Sequence, residues 1–340
     1  MGMSTKNKQV AVSGVRPTGD LHIGNYLGAI KQFVELQEKY KTYFFIADLH
    51  AITEPQDPEK LANQTLDIAA LYLACGLDPQ KTTLFVQSHM PEHLELAHIL
   101  GTLTPMGELS RMTQYKEKVE EGKPSNFGLF AYPVLMAADI LIYRADAVPV
   151  GEDQLQHVEL ARTLVRKFNS RFGETFKEPK TLLQKEGARI MGLDDPSKKM
   201  SKSAASANNY IGIIDSEEEI RRKIKIAVTD SGKEIKFDPK TKPAISNLLT
   251  IYSRMADISV QELEKKYADK NYAEFKSDLA DALVAALSPI QKKYKELAQN
   301  HENVLRILKE CSVRAREVAE ATMKDVRAKI GLLENAQRFA

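Results

Sequence analysis

The sequence predicts an α/β protein in which a parallel sheet comes first and an all-helical part follows. Two observations carry that expectation. Over residues 8–205 short apolar runs alternate with helix-period patterns, which is the mark of right-handed βαβ units. Over residues 206–340 the strand signal fades and helix-period patterns remain.

Four runs read as strands: residues 10–13, ending at Gly14; 42–48 (TYFFIAD); 83–86 (TLFV); and 147–150 (AVPV). Between the first two, Leu27, Ile30 and Val34 recur at helical spacing until the pattern ends near Tyr40. The next helix is punctuated, with Asp57 as N-cap, Pro58 at the first helical position and Gly76 as the stop. In the second half Ser216 opens a capping-box spacing, and Ile220, Ile224 and Val228 mark one face. Ile245, Leu248, Leu249 and Tyr252 mark another helix, and Ser259 to Glu262 repeats the capping-box spacing. Helical stretches are expected over 272–287, from Pro289 to 300, and over 303–333. The polar stretch 196–209, rich in Lys, Ser and Asn, joins the halves and reads as a mobile loop.

Composition sets bounds. With 43% apolar and 28% charged residues in 340, the chain is an ordinary globular protein. Its 48 basic and 46 acidic side chains leave a net charge of +2, so any contact with nucleic acid must come from local patches. Cys75 and Cys311 lie far apart in helical apolar patterns, as small buried hydrophobes do, and fit a reducing compartment. Residues 1–8 are polar, and no run approaches the roughly 18 apolar residues that span a bilayer. A cytoplasmic protein without membrane contact is expected.

Two segments carry chemistry. The first strand leads through Gly14-Val15-Arg16-Pro17-Thr18-Gly19-Asp20-Leu21 into His22-Ile23-Gly24-Asn25, where a helix begins. Glycine lets the backbone approach a ligand, and the free N–H groups of a helix N-terminus favour an anion. His22 and Asn25 add side-chain donors one turn apart. Taken singly, the segment reads better as a loop whose glycine allows tight helix–sheet packing. The second segment, Lys199-Met200-Ser201-Lys202-Ser203, offers two ammonium groups and two hydroxyls, which suit a polyphosphate. By composition alone it is a solvated basic loop.

Together, in this order and at this separation, the two segments resemble the paired signatures of the class I aminoacyl-tRNA synthetases. The resemblance runs along nearly the whole chain, through SGVRPTGDLHIGNYLGA, ADLHAIT, LFVQS, YPVLMAADIL, VPVGEDQ, GARIMGL, KKMSKS and AVTDS, and is nearest to the tryptophanyl branch. It implies a Rossmann-like catalytic domain over 8–205 and a helical anticodon-recognition domain over 206–340, whose last helix would pack back on the first domain.

Within the helix FAYPVLMAADILIY, Tyr132, Met136 and Asp139 fall at i, i+4 and i+7, on one face. An aspartate on an apolar face requires a donor. A structural partner in the core would serve, and the resemblance assigns the indole N–H of bound tryptophan. The tyrosyl branch typically has Tyr at the place of Val12 and Gln at that of Met136, so Val12 and Met136 favour the larger apolar ring. Val148 and Val150 would add apolar wall, and His50, Tyr132 and Gln154 are assigned near the polar end and ring edge of tryptophan. By the same resemblance ATP is met by Arg16, Pro17, Thr18, Gly24, Asn25, Lys118, Gly151, Glu152, Asp153, Ile190, Lys199, Met200, Ser201, Lys202 and Ser203. His22, Asn25, Lys199 and Lys202 are the catalytic candidates. Two positions depart from the branch: Arg16 stands where many members carry Gln, and Val12 where many carry an aromatic residue.

The implied activity is ATP-dependent activation of L-tryptophan and its transfer to tRNA(Trp), by a homodimer, with Mg2+ accompanying ATP and no dedicated protein cage for the metal. Three alternatives stand beside it: a tyrosyl enzyme, a paralogue that binds tryptophan or tRNA without charging, and a small-molecule adenylyltransferase. Both signatures are whole, which disfavours the second. The long helical part is unneeded by the third.

Overall fold

The computed structural model describes residues 8–17, 21–120, 122, 126–183, 190–202 and 204–333. Strand β1 (Val10–Val15) leads into a helical run made of α1 (Ile23–Asn25), a π-turn (Tyr26–Ile30) and α2 (Lys31–Lys39). Then come β2 (Lys41–Ile46), the short α3 (Asp48–Ala51), α4 (Pro58–Ala74) and β3 (Thr82–Val86). Helices α5 (Pro91–Gly101), α6 (Met106–Leu109), α7 (Thr113–Glu120) and α8 (Phe127–Leu141) lead to β4 (Ala147–Val150), α9 (Leu155–Phe172) and β5 (Lys180–Leu183). Five helices follow: α10 (Glu217–Ile226), α11 (Pro243–Ala256), α12 (Val260–Lys266), α13 (Tyr272–Ala298) and α14 (His301–Ile330).

All strand pairs are parallel, in the order β3-β2-β1-β4-β5. The chain builds outwards from β1 to β3, then returns to the other side of β1. That reversal is a topological switch point, where a ligand crevice opens at the C-terminal strand ends. Pairing of β1 with β4 is a single register pair, Ala11↔Ala147, and beyond it the Ser13 hydroxyl donates to the Pro149 carbonyl at 3.1 Å.

Period-two alternation divides the core. Phe44 and Ile46 of β2 face one hydrophobic cluster while Tyr43 and Phe45 face the other. The first cluster runs on into the helical part through Leu248, Leu283 and Leu308. The second takes in Ala315, Ala319, Met323 and Val326, one face of α14, packed with Phe85 of β3. Arg314 donates from Nη2 to the Pro79 carbonyl at 2.6 Å, and Arg316 to that of His89 at 2.6 Å. The last helix is thus laid along the β3 side of the sheet. Met323→Ala should remove a side chain that is 0% exposed and lower the unfolding free energy by about 2–5 kcal/mol. Denaturant titration reads this, and a change near zero would mean that α14 is not part of the cooperative core.

Several boundaries differ from expectation. The fifth strand, β5, carries a Lys-Thr-Leu-Leu pattern with its ends exposed, and so lacks the buried run that marks the others. Pro289 lies inside one continuous helix, α13, instead of opening a new one. Packing of Leu283, Leu287 and Ile290 outweighs the missing N–H there. Val228 falls beyond α10, which ends at Ile226, and is partly exposed. Ser216 accepts from the Glu219 N–H, but the Glu219 carboxylate is taken by Arg222, at 2.7 and 2.8 Å. The box at Ser259 and Glu262 is complete. Asp57 caps α4 as its sequence predicts, accepting from the Glu59 N–H.

Candidate active site

A cleft of about 470 Å³ opens at the switch point, between Ser13–Arg16 at the end of β1 and Val148–Gly151 at the end of β4. Its size suits a substrate side chain together with part of a nucleotide. Tyr132, Met136 and Asp139 of α8 all reach it, as their spacing predicts. So do His50, Lys118 and Gln154, and Val12 lies in its floor. Lys118, not the exposed Lys116, is the lysine of the wall, paired with Glu54 at 2.5 Å.

The buried end is organised by Asp139, which is 1% exposed. Its Oδ2 accepts from His50 Nε2 at 2.8 Å, and its Oδ1 from His93 Nδ1 at 2.6 Å and Gln87 Nε2 at 2.8 Å. Burial pushes the carboxyl pKa up, but the hydrogen bonds from His50 and His93 outweigh it and hold the group down at about 2. It is therefore ionised at neutral pH. A carboxylate has about four acceptor positions, and three are filled by the protein. Among the described residues the fourth, on Oδ2, has no partner.

Nearer the rim, the Tyr132 hydroxyl lies 2.9 Å from Gln114 Oε1 and 2.8 Å from His157 Nε2. Burial raises the phenol to about 12, so it keeps its proton. His157 is pushed down to about 4 by burial, against the pull of Asp153, and is neutral. Gln154 donates to Asp153 Oδ2 at 2.7 Å in the turn Glu152–Gln154, where Glu152 and Asp153 are exposed. Arg16 is half-buried in the wall, close enough to Tyr132 for its charge to act on the phenol.

The two signatures meet beside this cleft. Leu21–Ile23 pairs with Ile211–Ile213: Ile23 donates to the Ile211 carbonyl at 2.9 Å, and Ile213 to that of Leu21 at 2.9 Å. Met191 bridges to Lys199, and the Met200 N–H reaches the Ile190 carbonyl at 3.0 Å. A Cβ on Gly24 would lie 2.8 Å from His22 Nδ1, so glycine is what lets the His22 ring fold against this turn, while Met200 Sδ at 3.5 Å would be in ordinary contact. His22 is lowered to about 4, first by burial and then by the Lys199 charge, and its Nδ1 is buried without a partner among the described residues. Asn25 accepts the His22 backbone N–H through Oδ1 at 3.1 Å, which leaves its amide NH2 for donation. The helical run starting at Ile23 then lines the cleft with Ala29, Gln32 and Phe33.

The stretch 196–209, expected as a loop, is pinned at both ends. Met200 is buried, and Asn209 accepts from the Ser201 N–H through Oδ1 at 2.9 Å while donating to Asp194 Oδ1 at 2.5 Å. Asn247 holds Met191 by both its N–H and its carbonyl, at 2.9 Å each, and so sets the buried Ile190 beside it. Pro17 is buried next to Arg16. Thr18 and Ser203, also expected in the site, lie outside the described residues. Sequence reasoning missed Gln87, His93, Gln114, His157, Asn209 and Asn247. Of these, Gln87 lies in the stretch LFVQS and Asn209 at the end of the polar stretch 196–209; the other four carry no local signal.

Comparisons with known proteins identify the family. The model for tRNA synthetases class I (W and Y) matches residues 4–288. The chain belongs to that family: a class I aminoacyl-tRNA synthetase of the tryptophan and tyrosine group. Within the group it falls in the tryptophanyl branch. It is 53% identical over 321 residues to the tryptophan–tRNA ligase of Caldanaerobacter subterraneus subsp. tengcongensis, covering 94% of this chain and 98% of that protein. The crystal structure of tryptophanyl-tRNA synthetase from Mycoplasma pneumoniae superposes with a TM-score of 0.85 at 37% identity, over 96% of this chain and 99% of the other. That from Campylobacter jejuni, complexed with ADP and tryptophan, gives 0.83 at 40%, over 95% and 100%.

Proposed function

We propose that this protein activates L-tryptophan with ATP and charges tRNA(Trp). The observation that carries the reading is Asp139: an ionised, buried carboxylate with one acceptor position left, at the apolar end of a cleft beside both signatures. An indole N–H satisfies that position. Val12 and Met136 beside it offer a phenol no strong partner, which disfavours tyrosine. Val148 and Val150 supply apolar wall, and His50, Tyr132 and Gln154 also line the cleft, which supports assigning them to the amino acid's polar end or ring edge.

In the first step the tryptophan carboxylate attacks the α-phosphorus of ATP in line. One P–O bond forms, the bond to the β-phosphate bridge breaks, and pyrophosphate leaves. No enzyme nucleophile is required, so position and charge carry the catalysis. His22, neutral at pH 7, donates one ring N–H to the α-phosphate region, and Asn25 donates through its amide. Gly24 permits the approach. Lys199 and Lys202 would stabilise charge on the leaving pyrophosphate, together with Met200, Ser201 and Lys118. By the family resemblance Arg16, Pro17, Thr18 and Ser203 would also contact the phosphates, Gly151, Glu152 and Asp153 the ribose, and the Ile190 backbone the adenine.

Among the described residues no group of three or more His, Cys, Asp or Glu side chains is arranged to hold a metal. Mg2+ would accompany the ATP phosphates as part of the substrate. In the second step a hydroxyl of the terminal ribose of tRNA attacks the carbonyl carbon of the adenylate; the ester bond forms, the bond to the phosphate oxygen breaks, and AMP and the hydroxyl proton leave.

The helices after residue 206 would read the anticodon, and the working unit would be a cytoplasmic homodimer. No helix among the described residues is long and apolar enough to cross a membrane. The basic stretch at 221–225 contributes little free charge. Arg221 pairs with Glu217 and Asp281, Arg222 with Glu219, and Lys223 is buried on Asp215 at 2.7 Å. Lys292, Lys293 and Lys295 are exposed and remain the better candidates for phosphate contact.

ATP–pyrophosphate exchange tests the reading. Exchange should depend on tryptophan and stay near background with tyrosine or with no amino acid. Equal exchange with tyrosine would overturn the assignment, and exchange without amino acid would point to a different adenylyltransferase.

A further inference from the structure

Behind Asp139 lies a chain of groups that do not line the cleft. The carboxylate can only accept, so His93 must carry its proton on Nδ1 to bond Oδ1 at 2.6 Å. Its other ring nitrogen, Nε2, is hydrogen-bonded to the Tyr143 hydroxyl 2.8 Å away. Burial pushes the Tyr143 phenol well up, so its proton stays in place. Tyr143 is itself stacked on Tyr43 with centroids 4.6 Å apart, and Phe45 and Phe85 stand edge-on to the His93 ring at 5.9 and 6.1 Å. The imidazole is 0% exposed and has neither room nor a second partner for another tautomer.

This arrangement fixes how the carboxylate is used. Oδ1 receives His93 and Gln87, which fills it, while Oδ2 receives His50 alone. The rotation of an aspartate carboxyl about its last torsion is soft, so without a lock on Oδ1 the open position would wander. We propose that His93, backed by Tyr143, is a positioning residue that sets substrate specificity: by saturating Oδ1 it keeps the open acceptor position on Oδ2 facing the substrate's ring N–H. The proposal rests on the reading of Asp139 as the indole acceptor. It concerns residues that never touch the substrate, and their effect should be confined to ligands that carry a ring N–H.

The test uses a pair of substrates, tryptophan and 3-benzothienylalanine, in which sulfur replaces the N–H at nearly the same shape. Pyrophosphate exchange is measured for wild type, Asp139→Ala, His93→Leu, His93→Asn and Tyr143→Phe. For His93→Leu, KM for tryptophan should rise about 10–100-fold, with kcat within about 3-fold and KM for the analogue within about 3-fold. His93→Asn, whose amide can replace the Nδ1 donor, should recover most of the preference for tryptophan. Tyr143→Phe should lose a smaller part of it, about 3–10-fold.

A purely structural role would raise both KM values alike, and that result overturns the proposal. Should His93→Leu fail to fold, Tyr143→Phe decides, and an unchanged tryptophan-to-analogue ratio there also overturns it. The two readings separate cleanly. If wild type shows no preference for tryptophan over the analogue, the indole-acceptor reading of Asp139 fails. If Asp139→Ala abolishes the preference while the His93 and Tyr143 variants keep it, only the proposal fails.

Discussion

Asp139→Ala should lower kcat/KM for tryptophan by about 10⁴-fold, because a site built around one polar contact discriminates by that contact. Two losses combine in the variant. The indole N–H enters an apolar slot with no acceptor. The His50, His93 and Gln87 donors, which meet Asp139 at 2.6–2.8 Å, are left buried without a partner. Each such group costs about 1–3 kcal/mol, so the variant should also be less stable. KM for ATP, measured at saturating tryptophan, should change far less. A parallel loss on both substrates would mean that the carboxylate only holds the core together.

The same group gives a pH signature. Its pKa is near 3.8 in an ordinary setting and about 2 when folded. A depressed carboxyl contributes stability that is complete above about pH 4 and is lost as the pH falls through about 2. The difference in stability between wild type and Asp139→Ala should therefore shrink across that window.

Lys202→Ala has the second largest expected effect, on a different step. Lys202 is exposed on a segment anchored by buried Met200 and by Asn209. Adenylate formation should slow about 10²–10³-fold, as expected when a donor acting on transition-state charge is lost. Tryptophan affinity should stay nearly unchanged. Pre-steady-state measurement of adenylate formation, together with equilibrium tryptophan binding, separates the two. A weakened tryptophan affinity with a normal rate would remove Lys202 from the phosphate side of the site.

The signatures were legible because their chemistry is local. His22, Gly24 and Asn25 are neighbours in sequence, and so are Lys199, Met200 and Lys202. The face of α8 was legible for the same reason, since Tyr132, Met136 and Asp139 are set on it by helical period alone. Strand β5 was not, because an edge strand with partly exposed residues has no apolar run to announce it. Pro289 misled because a local rule was overridden by packing along α13.

The partners of Asp139 were out of reach for a simpler reason. His50, Gln87 and His93 stand 89, 52 and 46 residues from it in sequence. Nothing in their local patterns tells which of the chain's seven histidines would meet a carboxylate.

The sequence by itself determined the α/β order, the two signatures and the apolar face that offers a carboxylate. Periodicity and short-range spacing are properties of the chain before it folds. Tertiary structure alone decided that Met200 packs against Gly24, that α14 lies along β3, and that three donors leave Asp139 a single open acceptor position. Those are contacts between distant segments, and burial fixes them only once the sheet has formed.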